Sequence, residues 1–377
     1  MKVTVAIDSL KGSLTSKEAG EAVKRGILDI YPDATVFVRP IADGGEGTTE
    51  AIVDAMNGEY REITVADPLL RPIKAKYGII NKTAVMEISA AAGITLVTEK
   101  EKNPLNTSTY GVGELIKDAI SLGIREFIIG LGGSATNDGG TGMLKALGFS
   151  MTDKNGNEIE NGAKGLCNLA KIDIKNALPE LSECKFRIAC DVTNPLCGNN
   201  GCSAVFAPQK GADAAMIKDM DLWLSNYARL TKTVIPASDE NAAGAGAAGG
   251  LGFAFMSYLN GTLEHGIDLI TEKTGLEEYI KNSDIVVTGE GRLDSQTFMG
   301  KTPVGVSKIA KKYAKTVIAF GGCVTEDAEI CNGYGIDAIF PIVRGAVSLE
   351  EAMDSENAKK NMSFAVRQAF RLIKEFK

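Results

Sequence analysis

A strand–loop–helix rhythm at both ends of the chain constrains its fold more than any other feature. Residues 2–7 form a buried apolar strand pattern and 35–38 a β-branched one, and a polar loop and a helical pattern follow each. The rhythm returns late in the chain, with strands predicted at 284–288, 316–320 and 338–341. Strands that alternate with helices predict a parallel sheet, whose ligands bind at the carboxyl ends of its strands.

The middle of the chain reads differently. Residues 59–87 contain short strand candidates separated by prolines and a glycine, with no long helix. At 377 residues the chain is also too long for one ordinary core. We therefore predict an α/β fold: a Rossmann-like, doubly wound parallel-sheet domain made of residues 1–60 and 284–377, with an inserted mixed α/β domain at 61–283. The active-site cleft is expected between the two domains.

Composition excludes several classes of function. Lys and Arg total 41 against 48 Asp and Glu, so the net charge of −7 argues against nucleic-acid binding. The seven cysteines form no CxxC pair, and a single histidine, His265, argues against a histidine metal site or a Ser-His-Asp triad. The start MKVTVAI runs straight into a strand pattern, and the uncharged stretch 242–263 is rich in glycine and alanine. We expect a soluble cytoplasmic protein with small-molecule partners and no membrane contact; the oligomeric state stays open.

Several loops after predicted strands combine glycine with charged or amide side chains. Glycines expose backbone N–H groups, and a following helix N-terminus adds partial positive charge, which suits phosphate. Nearby carboxylates can hold Mg²⁺, and a lysine and an arginine can neutralise a transferring phosphoryl group. The loops with this character are residues 8–13, 41–48, 130–142, 191–196 and 289–302. Together they predict phosphoryl-transfer chemistry.

Familiar nucleotide motifs fit less well. Lys301 and Thr302 resemble the end of a Walker A loop, but Ser295 stands where that loop needs glycine and Pro303 follows at once. GLGGSA at 130–135 fits a dinucleotide fingerprint, yet no convincing ribose-binding acid follows about 20 residues on. An NAD-dependent dehydrogenase and a non-catalytic sensor of small anions are the alternatives from other classes.

Five longer blocks give the chain a specific resemblance. DSLKGSLTSKEA, PIADGGEGT, GLGGSATNDGGTGML, CDVTNPLCG with PQKGA, and TGEGRLDSQTFMGKTPVGV are similar, in order, to the signature blocks of the bacterial type-one glycerate kinase family. The blocks run from residue 8 to about 306, and the one departure noted is Leu70, where the family usually has glycine. The resemblance implies ATP-dependent phosphorylation of D-glycerate with Mg²⁺, usually at the 2-hydroxyl. A 3-phosphoglycerate-forming kinase remains the nearest alternative.

Each candidate residue then receives a provisional role. Arg292 is expected to bind the glycerate carboxylate, because arginine suits bidentate carboxylate binding. Lys11 and Arg292 together are expected to stabilise charge on the transferring group and to hold that carboxylate, with the division between them left open, and Asp191 is expected to orient the attacking hydroxyl as proton acceptor. The remaining predicted substrate contacts are Asp8, Ser9, Asp43, Gly44, Gly45, Asn194 and Asp294, and the predicted metal ligands are Glu46 and Asp191. The predicted nucleotide contacts are Gly132, Gly133, Ser134, Asn137, Asp138, Gly289, Glu290, Gly291 and Lys301.

Overall fold

The computed structural model describes residues 1–295, 297 and 301–376. Along this part of the chain the strands are β1 (Lys2–Ile7), β2 (Thr35–Val38), β3 (Glu59–Ala66), β4 (Pro72–Ile80), β5 (Thr83–Glu87), β6 (Glu126–Gly130), β7 (Ser150–Thr152), β8 (Lys171–Asp173), β9 (Lys185–Ala189), β10 (Thr262–Glu264), β11 (Ile285–Leu293), β12 (Thr316–Val324) and β13 (Ala338–Pro341). The α-helices are α1 (Ser16–Leu28), α2 (Thr48–Met56), α3 (Ser89–Ala92), α4 (Tyr110–Ser121), α5 (Thr141–Ala146), α6 (Cys202–Phe206), α7 (Ala214–Val234), α8 (Ala247–Tyr258), α9 (Gly266–Thr274), α10 (Leu276–Lys281), α11 (Thr302–Lys312), α12 (Leu349–Met353) and α13 (Ser355–Glu375).

The chain divides into two compact units. Unit 1 comprises Met1–Asp43, Glu50–Asn57 and Gly266–Lys377, and unit 2 comprises Gly44–Thr49 and Gly58–His265. The predicted domain boundaries at 60/61 and 283/284 differ from this division in three places, the smallest being residues 58–60, which group with unit 2. Residues 266–283 group with unit 1, since Ile267 of α9 lies against Gly305 of α11. Residues 44–49 belong to unit 2, although unit 1 includes the residues on both sides of them; we call this segment the excursion.

Unit 1 is built on the predicted parallel sheet. Its strand order is β13-β12-β11-β1-β2, and every neighbouring pair is parallel. Val3, Val5 and Ile7 of β1 share a buried core with apolar residues of α1 and α13, while α11 packs against β11 and β12. Renumbered within the unit, the order is 2-1-3-4-5, a doubly wound arrangement that places its topological switch point between β1 and β11.

Helix α1 begins after Thr15, which is followed three residues later by Glu18, a pairing typical of helix N-termini. Thr15 accepts a hydrogen bond from the Glu18 backbone N–H through Oγ1 (3.2 Å), and Glu18 Oε2 accepts from the Thr15 N–H (3.0 Å). This reciprocal pair is a capping box, which satisfies two backbone donors that a helix start leaves open. Further along, a Cβ at Gly26 would lie 2.7 Å from the Ser363 carbonyl oxygen, so the glycine lets α13 approach α1 closely.

Two strands run further than predicted. We predicted strands ending at Thr288 and Phe320, and a polar loop over 289–302; β11 instead continues to Leu293 and β12 to Val324, with Arg292 paired to Cys323. Glycine and alternating charges disfavour a strand locally, but pairing between the two extensions outweighs that preference. Residues 296 and 298–300 of the predicted loop lie outside the described residues. Helix α11 begins at Thr302 and has Pro303 in its first turn, a favoured position for proline.

Unit 2 contains a mixed sheet of order β10-β9-β6-β5-β4-β3, with a separate β7-β8 ribbon. Strands β10, β9, β6 and β5 are parallel neighbours, whereas β4 and β3 are antiparallel. The glycine–alanine stretch forms α8, whose residues Ala248, Gly249 and Gly250 have positive φ. A Cβ at Gly249 would lie 2.1 Å from the Thr136 carbonyl oxygen, which explains the small residues of this tightly packed segment. In the described part of the chain, every helix is too short or too polar to span a bilayer.

Candidate active site

The topological switch point of unit 1 lies beside the loop after β1 and the end of β11. Connections from these two neighbouring strands leave in opposite directions, which opens a crevice at their carboxyl ends. A Cβ at Gly291 would lie 3.5 Å from Leu10 Cα and from Lys11 N. The DSLKGS and GEGRLD stretches, about 280 residues apart in the chain, are therefore neighbours in space.

Asp8 has the most strongly shifted pKa of the carboxyl groups at this edge of the sheet. Its side chain is 3% exposed; Oδ1 accepts a hydrogen bond from the Ser9 N–H (2.6 Å) and Oδ2 from Thr302 Oγ1 (3.0 Å). Burial raises the pKa of Asp8 from 3.8 to about 7, and the Asp43 carboxylate adds to that rise, while Lys11 opposes it. Asp8, Asp43 and Lys11 thus interact electrostatically, as expected for parts of one site.

A second carboxylate, Glu290, lies on the extended end of β11. Glu290 is 8% exposed and its Oε1 accepts from Thr297 Oγ1 at 2.6 Å, with Lys301 Nζ 4.0 Å from Oε2. Burial raises the pKa of Glu290; Thr297 and Lys301 oppose this rise, and Asp43 reinforces it. The burial of Glu290 suits positioning within unit 1 better than direct contact with a nucleotide.

Arg292 and Asp294 form an ion pair just beyond Glu290. Arg292 Nε is 3.0 Å from Asp294 Oδ2, and the Arg292 side chain is 65% exposed. An exposed pair of this kind adds little stability, so the guanidinium can exchange its partner for a substrate carboxylate at small cost. Position 289 requires glycine for packing, since a Cβ there would lie 2.0 Å from the Phe320 carbonyl oxygen.

In unit 2, two predicted glycine loops interlock. A Cβ at Gly130 would lie 2.4 Å from the Gly44 carbonyl oxygen, and one at Gly132 would lie 2.6 Å from Gly45 Cα. The excursion is also held by Glu87, whose Oε1 accepts from the Thr49 N–H at 2.7 Å. The DGGEGT segment and the GLGGS loop therefore meet backbone to backbone, with Glu46 exposed next to them in the chain.

The second half of the GLGGSATNDGG loop turns inward. Asn137 and Asp138, both predicted to contact the cofactor, are fully buried. Asp138 accepts hydrogen bonds from Thr109 N–H and Oγ1 (both 2.9 Å) and from the Gly140 and Gly142 N–H groups. Its contacts tie the loop to the starts of α4 and α5, which is a positioning role. By contrast, Gly133 is exposed and Gly132 is half-buried.

Helix α5 begins only at Thr141. The loop after β6 therefore does not lead directly into a helix after GLGGSA, as a dinucleotide fingerprint requires.

Asp191 follows β9 and faces a histidine that sequence reasoning set aside. His265 Nδ1 lies 3.4 Å from Asp191 Oδ1, because β9 and β10 are parallel neighbours and both residues follow their carboxyl ends. A histidine therefore lies beside the residue expected to accept the proton, although the sequence was used only to argue against a histidine metal site and a Ser-His-Asp triad. Nothing in the sequence signals this pair, since 74 residues separate its members. Asn194 donates through Nδ2 to the Asn200 carbonyl oxygen (2.8 Å), which fixes its own loop.

Three other residues contact the predicted site loops, although the sequence did not single them out as site residues. Thr302 donates to Asp8, Glu87 holds the excursion, and Lys210 donates through Nζ to Ser134 Oγ at 2.8 Å. The PQKGA block contains Lys210, so the chain did carry a signal for it. Within the described ranges, no three His, Cys, Asp or Glu side chains converge as a ready metal cage.

Comparison with known proteins agrees with these features. The glycerate kinase family model matches residues 3–374. Glycerate 2-kinase of Escherichia coli K12 is 46% identical over 354 residues, covering 93% of each chain, and glycerate kinase of Bacillus subtilis 168 is 45% identical over 376 residues, covering 99% of this chain and 98% of the relative. A crystal structure assigned as glycerate kinase 2 of Salmonella typhimurium LT2 superposes with a TM-score of 0.89 at 42% identity, covering 100% of this chain and 98% of that one. With a family match over nearly its whole length and the signature loops assembled as described, the chain belongs to the glycerate kinase family.

Proposed function

We propose that this protein is an ATP-dependent D-glycerate kinase that forms 2-phosphoglycerate. The observation that supports the proposal is the close backbone contact between the DGGEGT and GLGGS segments, because it joins two of the glycine-rich loops that the sequence predicts to bind phosphate. Membership of the family supports the kinase class. The E. coli relative, named as a glycerate 2-kinase, supports the 2-hydroxyl as the acceptor.

The reaction requires a nucleophile, a leaving group and charge stabilisation. The glycerate hydroxyl oxygen attacks the γ-phosphorus of ATP, the bond from that phosphorus to the ADP oxygen breaks, and the hydroxyl proton passes to a carboxylate. Lys11 and Arg292 lie on adjacent stretches of unit 1 and supply positive charge for the phosphoryl oxygens and the substrate carboxylate. Gly132, Gly133 and Ser134 of unit 2 supply phosphate contacts.

Two carboxylates compete for the role of proton acceptor. Asp191 remains the first candidate because it follows a strand end and is partly exposed. Asp8 is the second, since burial brings its pKa to about 7, near the value at which a general base works best at neutral pH.

Mg²⁺ fits the donor chemistry of this edge. A nucleotide-bound Mg²⁺ usually takes one or two protein carboxylates and completes its shell with phosphate and water, so a cage of three protein ligands is not needed. The Asp43 carboxylate raises the pKa of Asp8 by repulsion, and a hard cation relieves such repulsion. Asp43 would hold the ion, together with Asp8 when Asp191 is the proton acceptor; Glu46 and Asp191 are the ligands predicted from sequence. When bound, Mg²⁺ neutralises charge on the phosphates.

All seven cysteines are free. Because free thiols are usual in reducing compartments, we also propose a cytoplasmic location.

Phosphorus NMR of a mixture of ATP, Mg²⁺ and D-glycerate tests the proposal. We expect ADP and a phosphate monoester signal split by one carbon-bound proton, as on C2; splitting by two protons would indicate the 3-phosphate and overturn the regiochemistry. Lys11→Ala and Asp191→Asn should each lower kcat by orders of magnitude with the fold intact. Lys308→Ala, at an exposed position of α11, should keep normal turnover.

A further inference from the structure

Lys210 is a buried cation behind the loop that we assign to phosphate. It ends a short 3₁₀ turn, Pro208–Lys210, and only 3% of the residue is exposed. Its Nζ donates to Ser134 Oγ at 2.8 Å and to the Thr136 carbonyl oxygen at 2.6 Å. Both partners belong to the segment after β6, so the ammonium group lies directly against this loop.

Among the described residues, Lys210 has no anionic partner at contact distance. No ion pair within 4.0 Å joins it to a carboxylate in the described part of the chain, and its two acceptors are neutral. Asp138 attracts it from a distance, but the oxygens of Asp138 accept from Thr109 and from backbone N–H groups. A buried ammonium group without a counter-charge is costly, which makes a bound anion the natural complement.

The hydrogen bond also fixes the role of the Ser134 hydroxyl. An ammonium group can only donate, so Ser134 Oγ is the acceptor in this pair and its own proton is left for another acceptor. Ser134 forms a bridge with Gly93 through its backbone, and the preceding Gly133 is exposed with φ +74°. The hydroxyl donor therefore belongs to a loop whose backbone is open to solvent one residue away.

We propose that Lys210 is a positioning residue for phosphate binding: it holds Ser134 Oγ as a donor towards a phosphate oxygen and supplies the positive charge behind the loop. The inference rests on the proposed function for the identity of the anion, a nucleotide polyphosphate. Burial lowers the pKa of Lys210 to about 8, and the ionisable groups that attract the ammonium are Cys202 on α6 and Asp138 on the loop. Burial raises the pKa of Cys202 to about 12, so that thiol stays neutral while Lys210 titrates.

The test measures binding of tripolyphosphate and of ATP by calorimetry in Lys210→Met, Ser134→Ala and the double variant. Lys218→Met, at an exposed position of α7, is the matched control and should bind like wild type. Losing a charged hydrogen-bonding group should weaken binding about 10- to 100-fold in Lys210→Met. The double variant should be no more than about threefold weaker than Lys210→Met, because both changes break the same link.

The pH dependence separates this role from a merely structural one. The affinity gap between wild type and Lys210→Met should be largest near pH 7 and close as pH rises beyond about 8, since wild-type Lys210 then loses its charge. A gap that is independent of pH, fully additive effects, or wild-type affinity in a folded Lys210→Met would overturn the proposal. If Lys210→Met does not fold, Ser134→Ala decides: about tenfold weaker binding supports the proposal and unchanged binding overturns it.

The two proposals can fail separately. Tripolyphosphate binding that depends on Lys210 in a protein that does not phosphorylate glycerate would remove the proposed function and keep this inference. Normal glycerate phosphorylation, together with tripolyphosphate binding that is unchanged in Lys210→Met, would keep the proposed function and remove this inference.

Discussion

Replacing Asp8 by asparagine should stabilise the protein above neutral pH while it removes activity. Asp8 is buried, and its pKa is raised from 3.8 to about 7, so folding favours its protonated form. The carboxylate therefore costs no stability below pH 3.8, costs increasingly more as pH rises, and costs its full amount above pH 7. A rise of this size corresponds to about 4 kcal/mol, at ~1.36 kcal/mol for each unit of pKa.

The net gain will be smaller, because asparagine keeps only one carbonyl oxygen where Asp8 accepts from both Ser9 and Thr302. Losing a hydrogen bond to a charged group costs about 1.5–3 kcal/mol, which leaves a gain of about 1–2.5 kcal/mol at pH 8. At pH 5, where wild-type Asp8 is largely protonated, the variant should have no advantage.

Urea unfolding at pH 5 and pH 8, with EDTA present, measures the effect. Asp33→Asn makes the same chemical change at an exposed position of unit 1 and should leave stability unchanged at both values. An Asp8→Asn protein that is less stable than wild type at pH 8 would refute the reasoning about burial and repulsion.

Two further changes probe packing and charge in unit 2. Gly132→Ala should destabilise by about 1–3 kcal/mol and reduce nucleotide binding, because its Cβ would lie 2.6 Å from Gly45 Cα; Gly333→Ala, with no atom within 4 Å, should be nearly neutral in the same thermal-shift and binding assays. Asp118→Asn should cost about 1.5–3 kcal/mol near pH 7, since Asp118 accepts from Arg61 and from Tyr77. Hydrogen bonding to Arg61 lowers the pKa of Asp118 below 3.8, so its stabilising contribution is lost as pH falls through that lowered pKa; a deficit in the asparagine variant that persists in strong acid would contradict this assignment.

Local sequence patterns predicted the two edge strands of the unit 1 sheet. The strands Thr35–Val38 and Ala338–Pro341 and the cap of α1 at Thr15 lie where their patterns indicate, because β-branched runs and capping residues act within a few positions. The polar loops at the strand ends were equally visible, since glycine beside charged residues is unusual in a simple turn. Asp8 and Lys11 were predicted as site residues in this way, and their roles stay predictions.

The features that were missed depend on partners far away in the chain. The extension of β11 to Leu293 needs β12 as its partner, and burial of Asp138 needs the start of α4. His265 approaches Asp191 only because β9 and β10 align, and Lys210 reaches Ser134 across 76 residues. No periodicity within a window of the sequence can report such pairings.

The order β13-β12-β11-β1-β2 has a consequence for how the protein is made. Strand β1 needs β11 as a neighbour, and that partner leaves the ribosome about 280 residues later. During synthesis the apolar run Val3–Ile7 can pair with β2 on one side but not yet with β11 on the other. In that interval residues 58–265 are translated and can fold. Strand β1 therefore stays unpaired on its β11 side until unit 2 has been translated, and no uninterrupted gene fragment would encode unit 1.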